Sequence, residues 1–272
     1  MKKIGTFISY VFIITMAVIP GFPFIYMILA GLMTYAETVS IPPTLIPGEF
    51  QWNNISEVFR KAPFVQYFIN TIFVSAVSTA GTLVTTVLAG FALVKLEFKH
   101  KNLLILLLIS LLMVPYESIV FTNYRTIAKM RLLDTYSALI IPSLASVFYI
   151  FYFKNYLAAI PISYYKAAKI DVCTDLEFIW KVMIPLRKPA LVTVGILSFI
   201  SGWNSFLWPL LVTNTKGMRL LNNGLSAFAT ESGSDVHLQM SAATLTIIPV
   251  LIIYFIFRKQ IIRGVAKNGI KG

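Results

Sequence analysis

Six long stretches of the chain carry almost no charge. Residues 4–36 and 62–94 contain no Asp, Glu, Lys or Arg, and residues 102–124 contain only Glu117. Residues 135–153, 189–215 and 236–257 are again free of all four types. Each run can supply the ~20 apolar residues that cross a hydrocarbon core at 1.5 Å per residue. Apolar side chains follow one another without alternation, as from Leu103 to Leu108, whereas membrane β-strands alternate over about 10 residues. Backbone groups in lipid must bond within their own segment, so each run is read as a helix. The pattern predicts an all-α integral membrane protein, one domain over 1–272, with six transmembrane helices. They are expected at about 8–33, 64–94, 102–122, 136–156, 189–212 and 238–257. The first run follows Lys2 and Lys3, as a signal peptide does, but extends from Phe7 to Met33. A cleaved signal has an apolar stretch of about 7–15 residues, so a retained first helix is expected.

Composition agrees. Hydrophobic residues are 57% and charged residues 12%, with a mean hydropathy of +0.78; soluble domains carry about 25% charge. With the N-terminus in the cytoplasm and sides alternating, the whole net charge of +12 falls on the cytoplasmic side. Both termini are therefore expected there, and the basic surplus needs no nucleic acid to explain it. Cys173 is the single cysteine, and His100 and His237 are the two histidines. That excludes an internal disulfide and any multi-cysteine metal site, and no metal is expected.

The connections carry more detail. Outer residues 34–61 hold Pro42, Pro43, Pro47 and Gly48, then an amphipathic piece from Asn53 to Phe59. Residues 122–134 read as a short polar turn, and 213–240 as a long loop rich in Ser, Asn, Gly and Thr. In the cytoplasmic loop at about 158–188, Thr174-Asp175-Leu176-Glu177 fits a capping box. Leu176, Ile179, Trp180 and Met183 then recur as one helical apolar stripe, and Pro185 is expected to end the helix. The stripe can fold onto its own bundle or the lipid surface, or dock in a partner's groove. Pro115, Pro142, Pro209 and Pro249 sit inside or at the ends of spans, where each can kink a helix. Tyr149, Phe151, Tyr152, Phe153 and Tyr156 read as an interfacial belt, and Trp208 as interfacial too.

At that cytoplasmic loop Lys166-Ala167-Ala168-Lys169-Ile170-Asp171, followed by Pro185 and Pro189, resembles the Glu-Ala-Ala signature of bacterial ABC importer permeases. Leu133 to Pro142 resembles the entry to the family's fourth helix. Trp203-Asn204-Ser205-Phe206-Leu207-Trp208-Pro209-Leu210 and the tail from Gly264 to Gly272 resemble its maltose-type carbohydrate branch, on the side of the smaller permease. The resemblance implies a type I importer fold in a bacterial inner membrane. Its implied partners are a second homologous permease, a dimer of ATP-binding subunits, an extracytoplasmic solute-binding protein and a carbohydrate. It also implies that the loop around 162–184 couples to the ATPase. Two departures matter. The motif glutamate is Lys166, which would repel the basic residue expected opposite it. The motif glycine is Val172, which resists a positive φ, so a different turn is expected.

No G-x-x-x-x-G-K-[ST] occurs, so the chain is expected to bind no cofactor, with ATP and Mg on the partner subunits. Nothing resembles a hydrolase motif. The alternative is a self-contained ion-coupled transporter, for which Glu117 is the one acid near a span. For sugar contact, Asn70, Thr71, Trp203 and Asn204 lie within spans and have suitable chemistry, although an amide there also serves interhelical bonding. Asn222, Asn223 and Gly224 are the expected contact for the binding protein.

Overall fold

The computed structural model describes residues 2–230 and 233–266. Most of the tail block, residues 267–272, lies outside the described residues. The regular structure among the described residues is helical apart from a two-residue antiparallel pair, Ala229–Thr230 against Gly233–Ser234. It divides into two compact units: residues up to Gln66 with Leu221–Leu251, and Tyr67–Leu220 with the chain from Ile252 onward.

The first unit is built on helix α1 (Lys2–Gly31), the short α2 (Tyr35–Thr38) and α3 (Asn53–Lys61). The start of α14 (Val236–Ala266) belongs to it as well. Helix α1 is apolar all round and exposed from Ser9 through Pro20, a surface that lipid can cover. Its end is fixed. Asn54 on α3 is buried and donates to the carbonyls of Gly31 (3.0 Å) and Met33 (2.8 Å). The Ser241 hydroxyl of α14 also donates to the Gly31 carbonyl. The amphipathic piece read from the sequence is thus α3, and its inward face caps α1.

The second unit carries the remaining spans, and they depart from straight rods. Helix α4 (Phe64–Lys95) is continuous, as expected. The span expected at 102–122 is two helices, α5 (Lys101–Leu111) and α6 (Tyr116–Lys129), which meet at 100°. Pro115 lacks an N–H and disfavours helix in the residue before it. Helix α5 alone is about 16 Å long, half of the ~30 Å core. Because α6 runs to Lys129, the polar turn expected at 122–134 is mostly helix. The span at 136–156 is α7 (Tyr136–Ile140), a 3₁₀ turn through Pro142 and α8 (Val147–Ala158). The span at 189–212 breaks after α11 (Ile184–Trp203) and resumes as α12 (Leu207–Val212).

At its other end α11 reaches further than expected. Pro185 does not stop the helix: α10 (Asp175–Phe178) passes through a π turn, Ile179–Met183, straight into α11. Pro185 occupies the first turn of α11, where a missing N–H costs least. The rod kinks instead at Arg187 (φ −116°, ψ 17°).

Several carbonyls at helix ends and at the α7–α8 break are satisfied by polar side chains from other elements. Thr82 and Thr85 on α4 donate to Ser143 and Leu144 across the α7–α8 break, both at 2.7 Å. The Trp208 indole donates to Ala138 at 2.9 Å, so Trp208 is buried rather than interfacial. The Lys95 ammonium donates to Ile160 at 2.8 Å. The expected aromatic belt is divided: Phe153 is fully buried, and Tyr152 and Tyr156 pack against the same core cluster.

The close approach at Gly31 yields a test. A Cβ there would sit 2.8 Å from the Ser241 amide nitrogen, whereas one on Gly21 meets nothing within 4 Å. Gly31→Ala is expected to cost about 1–3 kcal/mol through overpacking. Gly21→Ala is expected to be neutral or to stabilise by up to about 1 kcal/mol. Thermal denaturation of both variants in mild detergent checks this; equal midpoints would refute the packing.

Candidate functional site

The loop singled out in the sequence folds as a helical elbow, α9 (Ile162–Ile170) turning into α10. The capping box forms as read: the Glu177 amide donates to the Thr174 hydroxyl (3.2 Å), and the Thr174 amide donates to the Glu177 carboxylate (3.0 Å). Lys181 adds an ion pair to Glu177 at 2.9 Å. Asp175 ties the arms together, accepting from the Tyr165 hydroxyl at 2.6 Å and pairing with Lys169 at 2.7 Å. The Asp175 carboxylate pushes the Lys169 ammonium above the usual lysine range.

The turn between the arms corrects one expectation. Val172 takes the positive φ, 57°, that it was expected to refuse. The Cys173 amide bonds back to Ala168 (2.9 Å) and the Val172 amide to Lys169 (3.2 Å), the paired reverse bonds of a Schellman cap. Its side chain is 87% exposed, so packing does not select valine. The reverse bonds and the Asp175 clamp hold a residue that is strained there.

The predicted apolar stripe is split. Ile179 and Met183 are buried, while Leu176 and Trp180 are 61% and 69% exposed. A stripe at i, i+3, i+4, i+7 assumes 3.6 residues per turn, and the π turn is wider. Phe178, which the stripe arithmetic passed over, is fully buried against Phe91 and Tyr165. Phe178, Ile179 and Met183 fold onto the bundle, the first of the two sequence alternatives, and Leu176 and Trp180 face outward. Lys166, Ala167, Asp171 and Pro185 are exposed as well, and Ala168 is half-buried.

A second feature of the same unit is a cavity of about 570 Å³ at the helix breaks. Helix α4 contributes Ser78 and Thr82, the α7–α8 region Ser143, Ser146 and Tyr149, and α6 Tyr116 and Asn123. Helix α11 and the break after it contribute Ser198, Ser201, Gly202 and Ser205, with Phe206 and Trp208 beyond. No Asp, Glu, Lys, Arg or His lines it. Ser198, Ser201 and Ser205 recur at helical spacing in a charge-free run, a signal the sequence reading passed over.

The residues nominated for sugar contact lie elsewhere. Asn70 is buried, donating to Gly217 (2.7 Å) and Arg219 (3.0 Å) and accepting from the Tyr136 hydroxyl (2.7 Å). Thr71 bonds back to Tyr67 on its own helix at 2.7 Å. Trp203 is buried beside Phe68 and Phe199. Asn204 is exposed at the end of α11 and adjoins the cavity only through its neighbour Ser205. Asn223 and Gly224, nominated to meet a binding protein, are buried in the four-residue helix α13 (Leu221–Gly224), and Asn222 is half-buried. Glu117 is exposed in the first turn of α6. Among the described residues, no group of three or more His, Cys, Asp or Glu is placed to hold a metal.

The turn yields a prediction. Val172→Gly removes a strained αL valine and no packing, and is expected to stabilise by about 1 kcal/mol. A thermal midpoint lowered by the substitution would contradict the assigned turn.

Comparisons with known proteins bear on the family and the fold. The arabinooligosaccharides transport system permease protein AraQ of Halalkalibacterium halodurans is 31% identical over 268 residues, covering 97% of this chain and 95% of that protein. The sn-glycerol-3-phosphate transport system permease protein UgpE of Yersinia pestis is 29% identical over 255 residues, 91% of each. A crystal structure of a bacterial ABC transporter involved in the import of the acidic polysaccharide alginate superposes with a TM-score of 0.82 at 24% identity. That match covers 94% of this chain and 96% of the other, and carries the fold alone. The family described as binding-protein-dependent transport system inner membrane component matches residues 1–267, and the chain belongs to it.

Proposed function

We propose that this chain is one of two homologous permeases in an ATP-driven carbohydrate importer. An extracytoplasmic binding protein delivers the sugar, and a dimer of ATP-binding subunits, which hold ATP and Mg, drives the cycle. The positive-inside count puts the elbow and both termini in the cytoplasm. The chain itself is a transport subunit, not an enzyme.

The observation that carries this reading is the continuity of one helix. Leu176 and Trp180 face outward on the elbow, and the same helical run, through the π turn and α11, presents Ser198 and Ser201 to the cavity. From Trp180 to Ser201 is about 30 Å along a helix. A groove of the ATPase that grips the exposed pair moves a rod whose far end is a wall of the pathway. Phe178, Ile179 and Met183 keep its near end seated on the bundle, and the kink at Arg187 gives a bending point. Hydroxyl groups with aromatic faces are the chemistry that recognises sugars. An ion-coupled transporter needs a carboxylate at membrane depth; none lines the cavity.

Leu176→Asp and Trp180→Asp are each expected to abolish uptake while leaving membrane abundance and thermal stability unchanged. Met183→Asp, at a fully buried site, is expected to lower abundance itself. Uptake assays normalised to immunoblot abundance check both; wild-type uptake in W180D would sink the docking role. Proteoliposomes of the full complex are expected to transport with ATP inside and no ion gradient. Transport that requires the gradient instead would favour the ion-coupled alternative.

A further inference from the structure

We infer that Arg187 holds a phosphate group at the cytoplasmic face of the bilayer, that of an anionic phospholipid. The inference does not depend on which solute is carried.

Three cations stand where two spans leave the membrane, and among the described residues none of them pairs with a carboxylate. The charge-free run of α4 ends at Lys95, and that of α11 begins just after Arg187 and Lys188. The ion pairs among the described residues are those of Lys61, Lys169 and Lys181. The two span ends converge: Val94 and Leu96 beside Lys95, and Ile184 and Ala190 on either side of Arg187, pack in one core cluster. Lys95 is 5% exposed, its ammonium bonds to the Ile160 carbonyl, and it repels the Arg187 guanidinium. A buried cation without a counter-charge leaves a positive potential at its neighbour, which an anion there would relieve.

Arg187 is the member of this group that a ligand can reach. It is half-buried, and its guanidinium makes no hydrogen bond among the described residues. Its Nε is enclosed, whereas the two terminal nitrogens are not. Those nitrogens form the planar fork that pairs with two phosphate oxygens. The non-helical backbone at Arg187 places this fork at the joint between the elbow and the cavity wall. Position then selects the occupant. Both span ends lie at the cytoplasmic headgroup level, where basic pockets between helices take anionic lipid headgroups. A zwitterionic headgroup brings its own ammonium into the field of two cations, so net negative charge is favoured.

The test uses the full complex in nanodiscs of phosphatidylcholine with or without phosphatidylglycerol. It reads the thermal midpoint and, by native mass spectrometry, the lipid retained. Phosphatidylglycerol is expected to raise the wild-type midpoint and to be retained severalfold over phosphatidylcholine. Arg187→Gln breaks no hydrogen bond and relieves the repulsion with Lys95, so its midpoint in phosphatidylcholine alone is expected to match or exceed wild type. It is expected to lose both the rise and the retention, while Arg187→Lys keeps part of each. Lys99→Gln, at an exposed cytoplasmic lysine, is expected to keep them in full. Inorganic phosphate added to phosphatidylcholine discs is expected to give no rise; an equal rise there, absent in R187Q, would support the phosphate site with a soluble occupant and overturn the lipid. An R187Q complex that gains as much as wild type, or a K99Q complex that loses as much as R187Q, would reduce the effect to diffuse surface charge and overturn the inference. No rise from either anion overturns it as well, and loss of the ATP-binding subunits from R187Q would then give the guanidinium to a protein carboxylate.

Discussion

A carbonyl freed inside a membrane must find a donor, because lipid offers none. Several of the buried polar side chains answer that constraint. Thr82, Thr85, Trp208, Lys95, Asn70 and Asn54 each donate to a backbone oxygen at a helix end or a break. The break at Pro142, where Thr82 and Thr85 donate to Ser143 and Leu144, is therefore a stable feature rather than a flaw. This break and the one after Trp203 also make the cavity: Pro142, Ser143, Ser205, Phe206 and Pro209 line it from the two broken spans. Irregular backbone at membrane depth is tolerated where it lines a polar space. The interactions that hold the spans together and the space a solute could use thus have one origin.

The same constraint explains which parts were legible in the sequence. The continuous spans were, because a charge-free run fixes both the existence and the length of α4. The capping box at Thr174 was, because its bonds are local. The breaks were not, since hydropathy averages over a turn and a proline in lipid can be either absorbed or broken at. Pro249 lies inside the unbroken α14, whereas Pro115 sits at a 100° bend. At Pro115 the backbone closes the bend with short turns, Leu112 to Ile109, Met113 to Ser110 and Val114 to Leu111, which hydropathy does not report.

The candidate pathway residues lie outside the cavity lining for a related reason. Asn70, Thr71 and Trp203 were chosen by side-chain type, and type does not say whether a group is already committed. In the structure Asn70 uses both ends of its amide on Tyr136, Gly217 and Arg219. The serines at 198, 201 and 205 look unremarkable one by one, and only their recurrence along α11 and into the break after it makes them a wall. The stripe on the elbow failed through its period: one π turn moved Ile179 and Met183 inward and left Leu176 and Trp180 outside.

The charge reversal at Lys166 is weighed by magnitudes on the proposed reading. An exposed ion pair is worth about 0–1 kcal/mol, so losing the motif glutamate removes little. Fully burying a large apolar side chain is worth about 1.5–3 kcal/mol, and the elbow offers two, Leu176 and Trp180. Lys166 is exposed on α9, and a lysine stem can carry its ammonium to water past an apolar contact. Repulsion with a basic residue opposite is then screened over about 8 Å at physiological salt. The seating of the elbow therefore depends on the exposed apolar pair and on the clamp that sets their angle, in which Asp175 joins Tyr165 and Lys169. On that reading the charge at position 166 changes the docking energy less than the exposed apolar pair does.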